Sequence, residues 1–290
     1  EDSISSSLNA TSISARIFKY GSGFGADFSE LRSSYETISG GGVASGPVSF
    51  MRLIDTVGMT IRSGGRTRRA ANMFTLSIHH PDAPAFLAVK AREEDKARVL
   101  VQAGYSGGID GEAYATVAFQ NANISIRLSD AFMDALAQHP DEPWAFTARY
   151  PLAKPLPTFT PRQLFDLLCT SARRCGDPGV QFSDTINSWH TTPSYGPIVS
   201  SNPCSEYLHV NDSACNLSSI NLFKFRTPTG FDFASFVRAV RIMTIAQDIL
   251  VTLGSYPSKP IAERAASLRQ LGLGYSNLGA LLMSLGLPYD

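Results

Sequence analysis

The apolar positions of this 290-residue chain switch repeatedly between a helical and a strand-like period. Val48, Met51, Ile54, Val57 and Ile61 recur at three- and four-residue spacing, which predicts an amphipathic helix entered from the glycine-rich turn at 37–50. MFTLSI (73–78) reads as a short buried strand. HHPD behind it reads as a helix start, with Pro81 in the first turn and Asp82 near the N-terminus. ATVAFQNANISIRL (115–128) reads as β, and SDAFMDALAQH (129–139) as a helix capped by Ser129. Residues 141–159 are proline-punctuated loop. The clearest helix is 160–176, with Thr160 as N-cap, Pro161 in the first turn, Gln163 completing a capping box and Gly176 as stop. NLSSINLFKF (216–225) reads as strand, and 232–254 and 275–286 as helices. Strands alternating with helices, without internal repeat, predict an α/β architecture with parallel strands.

Composition narrows the function classes. The chain is 43% hydrophobic, enough for a sizeable core. Its 25 basic and 25 acidic residues balance, so no net field draws it to nucleic acid or an anionic membrane. No apolar run reaches the roughly 20 residues of a membrane span. Four cysteines do not make a disulfide scaffold and suit a reducing cytoplasmic setting. No cysteine pair has metal-knuckle spacing, so no metal site is expected.

Candidate chemistry concentrates in SNPCSEYLHVNDSAC (201–215). Cys204 stands between Asn202 and Glu206, polar company for a thiol, and Pro203 stiffens the turn. Cysteine is often only a small buried hydrophobe. Pairing with His190 or His209 as in a cysteine protease has no motif behind it. Redox or radical thiol chemistry is a further reading that the residues leave open. Cys169 reads as a packing residue of the 160–176 helix, and Cys175, at the end of that helix, as structural. RSGGRTRR (62–69) offers a solvated basic loop or a phosphate-contacting one. GSGFG (21–25) is like a dinucleotide fingerprint but lacks the preceding strand, so no Rossmann site is expected.

SNPCSEY followed by ACNLSSINL resembles the large catalytic chain of ribonucleotide reductases, and so, in order, do FKYGSGFGADFSELR, GGVASGPVSFM, GGRTRRAANM, HPDAPAFLAVK, FQNANISIRLSDAFM, CGDPGVQFSDTIN and LGLGYSNLGALLM. FQNAN, CGDPG and NPCSEY are most similar to the adenosylcobalamin-dependent (vitamin B12) class II branch. The resemblance implies radical reduction of ribonucleotides to 2′-deoxyribonucleotides. Cys204 would carry the thiyl that takes the ribose 3′-hydrogen, Glu206 would move the 3′-hydroxyl proton, and Asn202 would orient the ribose. Cys215 would be one of two thiols that deliver reducing equivalents, restored by thioredoxin or glutaredoxin. Asp2 and Arg32 would hold a dNTP or ATP effector at a homodimer interface, although SSYETIS supplies no obvious second phosphate arginine. Arg66, Arg68 and Arg69 would lie on the loop between effector and substrate base.

The implied fold is a ten-stranded α/β barrel. This chain would supply about its first half, with an effector and specificity-loop region (1–72) and a half-barrel carrying the radical-cysteine finger loop (73–290). The second redox cysteine, the substrate-phosphate loop and the shuttle cysteines would lie outside the sequence, making it an inactive internal fragment. Two alternatives remain: an iron-dependent catalytic subunit served by a separate radical-generating subunit, and a nucleotide-binding module without activity. The radical reading requires Cys204 beside Asn202 and Glu206 at a pocket; a sulfur on an exterior surface, or one buried in hydrocarbon with the amide and acid pointing elsewhere, would sink it.

Overall fold

The computed structural model describes residues 2–61 and 70–289. Arg62, Arg66, Arg68 and Arg69 lie outside the described residues. The chain divides into two compact units, residues 1–211 and 212–290.

The first unit is a four-stranded parallel sheet with helices between its strands. Helix α1 (Ile4–Lys19) leads to β1 (Gly23–Asp27), α2 (Pro47–Thr60) to β2 (Ala71–Ser77), and α3 (Ala83–Gln102) with the short α4 (Glu112–Thr116) to β3 (Ala122–Leu128). Then α5 (Asp130–Gln138) and α6 (Pro161–Cys175) precede β4 (Gly179–Phe182), and α7 (Ser183–Ser188) follows it. The strand order is β1-β2-β3-β4, all parallel. The register puts Asp27 beside Thr75, Thr75 beside Ser125 and Ser125 beside Gly179; one rank further, Ser77, Arg127 and Gln181 are neighbours.

Side chains alternate across a strand, so these ranks give the sheet two unlike faces. On one, Phe74, Leu76, Ile124, Ile126 and Leu128 join Phe18, Phe28, Met51, Phe86 and Phe132 in the core. The Phe28 and Phe74 rings meet edge to face at 5.2 Å. The other face carries Asp27, Thr75, Asn123, Ser125, Arg127 and Gln181, and all but Asn123 of its β2–β4 members are buried.

The second unit pairs β5 (Asn216–Asn221) in parallel with β8 (Leu271–Ser276), and holds a two-residue ladder of β6 (Arg226–Thr227) with β7 (Gly230–Phe231). Helices α8 (Phe233–Leu253), α9 (Lys259–Leu268) and α10 (Leu278–Ser284) complete it. Gln247 of α8, buried, donates through Nε2 to the carbonyls of Gly272 (2.8 Å) and Asn216 (3.3 Å), tying the helix to both strands.

The capping box of α6 forms as the sequence predicts: Thr160 Oγ1 accepts from Gln163 N–H, and Gln163 Oε1 from Thr160 N–H. Gly176 ends that helix in the left-handed conformation. Other expectations are corrected. The β reading of 115–128 begins too early, because 112–116 is helical and the strand starts at Ala122. Residues 222–225 form a 3-10 turn rather than strand. Tyr275 and Ser276 end a strand instead of starting a helix. Pro84, not Pro81, occupies the first turn of α3; Asp82 does stand at its N-terminus, its carboxylate accepting from Ser34 N–H (2.7 Å) and Oγ (2.6 Å). The four-stranded sheet does not close: among the described residues there is no ten-stranded barrel.

Candidate active site

The loop that bears Cys204 lies on the polar face of the sheet. Gly25 and Gly23 of β1 leave room for it. A β-carbon at 25 would stand 1.8 Å from the Ser201 carbonyl oxygen, and one at 23 would stand 2.7 Å from the Pro203 ring. GSGFG is therefore a strand entry shaped for close backbone approach, consistent with no Rossmann role.

The loop is closed at its neck. Asn202 N–H donates to Tyr207 C=O (3.2 Å), and Tyr207 N–H donates to Asn202 Oδ1 (2.9 Å). Ser205 N–H donates to Asn202 C=O (3.1 Å), so residues 202–205 form a tight turn with the thiol at its apex. Ser205 has φ of 63°, a left-handed conformation that costs a non-glycine residue about 1 kcal/mol or more. With its oxygen committed to the turn, Asn202 presents the NH₂ end of its amide.

Side chains of three strands hold the loop to the sheet. Asn123 Nδ2 donates to Pro203 C=O (2.7 Å). Arg127 donates to Ile198 C=O (2.7 Å) and to Gln181 Oε1 (3.0 Å). Gln181 Nε2 donates to Ser201 Oγ (2.9 Å) and reaches Ser205 Oγ at 3.3 Å. Thr75 Oγ1 lies 3.1 Å from both Val199 C=O and Asp27 Oδ1. Burial pushes Asp27 up to about 6, against opposing hydrogen bonds from Ser29 and Thr75 and the charge of Arg127. The single Thr75 hydrogen cannot serve two acceptors; a protonated Asp27 donates to Thr75 and frees it to donate to Val199.

Cys204 opens onto a groove of about 360 Å³ lined by Met73, Asn123, Ser125, Cys175 and Asp177 among others. Asp177 Oδ2 pairs with Lys90 Nζ at 2.5 Å. Cys175 also lines this groove, with Sγ 3.3 Å from the carbonyls of Ser171 and Asp177. Cys169, expected to pack within α6, is exposed: Leu164, Leu168 and Ser171 form the buried stripe, and residue 169 lies about 100° around the helix from 168. Cys204 and Glu206 are themselves exposed, so within these residues the thiol is open rather than enclosed.

In the second unit, half-buried Cys215 immediately precedes β5, its Sγ 3.4 Å from Asn216 C=O. All four cysteines are thiols. Asp2 and Arg32 do come together: Arg32 Nε donates to Asp2 Oδ2 at 2.6 Å, and its guanidinium stacks 4.1 Å from the Tyr150 ring centroid. That hydrogen bond raises the Arg32 pKa further above its ordinary value.

Asn123, Arg127, Gln181 and Thr75 were not singled out from sequence. Their signal is the polar alternation in ANISIRL and GVQF, which a solvent-facing strand would also show.

The first unit is thus an α/β domain whose parallel sheet presents a thiol on a loop that the glycines of β1 accommodate. The whole chain, residues 1–290, matches the family model described as ribonucleotide reductase, barrel domain, and the chain belongs to that family. It is 47% identical over its full length to a vitamin B12-dependent ribonucleotide reductase of Rhodopirellula baltica, and covers 28% of that protein. It is 44% identical to the protein of the same description from Streptomyces clavuligerus, covering 30% of it. To a vitamin B12-dependent ribonucleoside-diphosphate reductase of Mycobacterium tuberculosis H37Rv it is 32% identical, covering 38%. The chain thus spans about a third of the length of these curated relatives.

Proposed function

We propose that this chain is part of an enzyme that reduces ribonucleotides to 2′-deoxyribonucleotides with a thiyl radical on Cys204. The observation that carries this is the Cys204 turn itself: a thiol at the apex of a loop closed on itself at the neck and tied at its flank to the polar face of the sheet. A radical site needs such fixity, because hydrogen transfer demands close and constant geometry. Cys204 gives up its sulfur-bound hydrogen, takes the ribose 3′-hydrogen, and returns it at the end of the cycle. Glu206 accepts the 3′-hydroxyl proton as the 2′-hydroxyl leaves as water. Asn202 directs its amide NH₂ to the ribose. Cys215 and a second thiol supply two electrons and two protons and end as a disulfide, which a thioredoxin- or glutaredoxin-type dithiol reduces by exchange.

The naming of the relatives favours adenosylcobalamin as radical source. When bound it would supply the one-electron chemistry at the Cys204 sulfur. The exposed sulfur beside an open groove is accessible to a radical source that approaches from outside these residues. The exposure of Cys204 runs against the requirement stated from the sequence; the reading stands only if residues of the longer relatives, about three times the length of this chain, have counterparts that wall the site. In that arrangement the four-stranded sheet is part of the ten-stranded barrel, and residues 1–72, proposed as the effector and specificity region, also supply its strand β1, so the boundary at 72 does not separate the two.

Asp2 and Arg32 are the proposed contacts of a dNTP or ATP effector at a homodimer interface, with Arg66, Arg68 and Arg69 on the communicating loop. An effector phosphate competes with Asp2 for the Arg32 guanidinium. Thiol chemistry and balanced charge suit the cytoplasm. Among the described residues no helix is long and apolar enough to cross a membrane.

Replacing Cys204 by serine in the full-length protein tests the reading. Turnover is expected to vanish while nucleotide binding, measured by equilibrium dialysis, persists. Retained turnover would refute the role of Cys204.

A further inference from the structure

We infer that Gln181 is a positioning residue for the Cys204 turn, acting through a one-way chain of hydrogen bonds that begins at Arg127. This inference rests on the radical reading of Cys204 and adds to it a residue that never touches substrate.

The direction of the chain is fixed by chemistry. A guanidinium only donates, so Gln181 must turn Oε1 to Arg127, 3.0 Å away. Its NH₂ then has to face the loop, where it donates to Ser201 Oγ at 2.9 Å. Having accepted there, Ser201 Oγ donates to Asn202 C=O at 2.9 Å. That same carbonyl accepts Ser205 N–H, the bond that closes the turn over Cys204. Arg127, Gln181 and Ser201 are all buried, so each missing partner would leave an unsatisfied group in a dry interior. Arg127 also holds Ile198 C=O at the near end of the loop. The second Gln181 contact, to Ser205 Oγ, falls on the residue held at φ of 63°. Strained conformations persist only where their surroundings over-determine them, and here Gln181 does so together with Ser201, whose Oγ lies 3.2 Å from Ser205 Oγ.

The chain has a polarity that an isosteric change inverts. Gln181→Glu keeps size, burial and the bond to Arg127 but offers no donor. Ser201 must then donate to the carboxylate and release Asn202 C=O. Gln181→Leu removes both ends.

The test uses the full-length protein. Cys204 alkylation by iodoacetamide, followed by peptide mass spectrometry, reads the loop without cofactor or substrate; kcat and KM read the reaction. In Gln181→Glu the Cys204 alkylation rate should change severalfold, and kcat should fall by about 10- to 100-fold with KM nearly unchanged. The melting temperature should stay close to that of the wild type. In Gln181→Leu kcat should fall at least as far. If Gln181→Leu does not fold, Ser201→Ala, which breaks the same chain one step later, should reproduce the Gln181→Glu pattern. Alkylation and kcat both within twofold of wild type in the folded variants would overturn the inference. Cys204→Ser separates the two levels. If it retains turnover, the radical reading fails, while the alkylation result still decides whether Gln181 positions the turn.

Discussion

The two faces of the four-stranded sheet are built from the same strands, one residue apart, and do opposite work. Phe74, Ile124 and Ile126 face the helices and gain their stabilisation from area removed from water. Thr75, Ser125, Arg127 and Gln181 are equally buried, yet gain little from burial as such. Thr75, Arg127 and Gln181 are secured by hydrogen bonds to the loop that carries Cys204. Apolar packing is tolerant and non-directional; a buried polar network has defined partners and a defined sense. The first face makes the sheet, and the second decides where Cys204 stands.

The largest expected effect tests the apolar side. Phe74→Ala should cost about 3–5 kcal/mol of unfolding free energy, measured by denaturant titration. Conditions in which the protein remains folded should leave the rate of Cys204 alkylation unchanged. A large change in that rate would mean that the two faces are not separable.

A smaller effect comes from Asp27 on the polar side. Its folded-state pKa is raised to about 6 from 3.8. Between those values the folded state holds a proton that the unfolded state has lost, so stability falls as pH rises from about 4 to 6 and is greatest below that window. The full difference is about 3 kcal/mol. In Asp27→Asn this part of the pH dependence should flatten. Calorimetric melting across that pH range would show it, and an unchanged slope would remove Asp27 as its source. Neutral Asp27 also completes the bonds through Thr75 to Val199, so the low-pH gain belongs to the face that holds the loop.

Much of the apolar face was legible in sequence. MFTLSI and the Val48–Ile61 stripe announce core positions because hydrophobic period is a local signal. The α6 ends were legible because capping is also local: Thr160, Gln163 and Gly176 act within one turn of their own helix. The polar face was not. ANISIRL alternates as a strand half in water would, and only the chain's return at 198–205 buries Asn123's neighbours and Arg127. Pro81 misled for a similar reason, since the Asp82 carboxylate is taken by Ser34, 48 residues earlier. Cys204, Asn202 and Glu206 were found as a motif, but their support at Gln181 and Gly25 depends on contacts that no sequence spacing encodes.

The most direct measurement is electron paramagnetic resonance of the full-length protein, freeze-quenched with adenosylcobalamin and a ribonucleotide, in which cysteine is deuterated at its β-carbon. The account requires a radical signal whose hyperfine structure narrows on deuteration and which is absent in Cys204→Ser. A signal indifferent to the label, or one that survives that substitution, would contradict it.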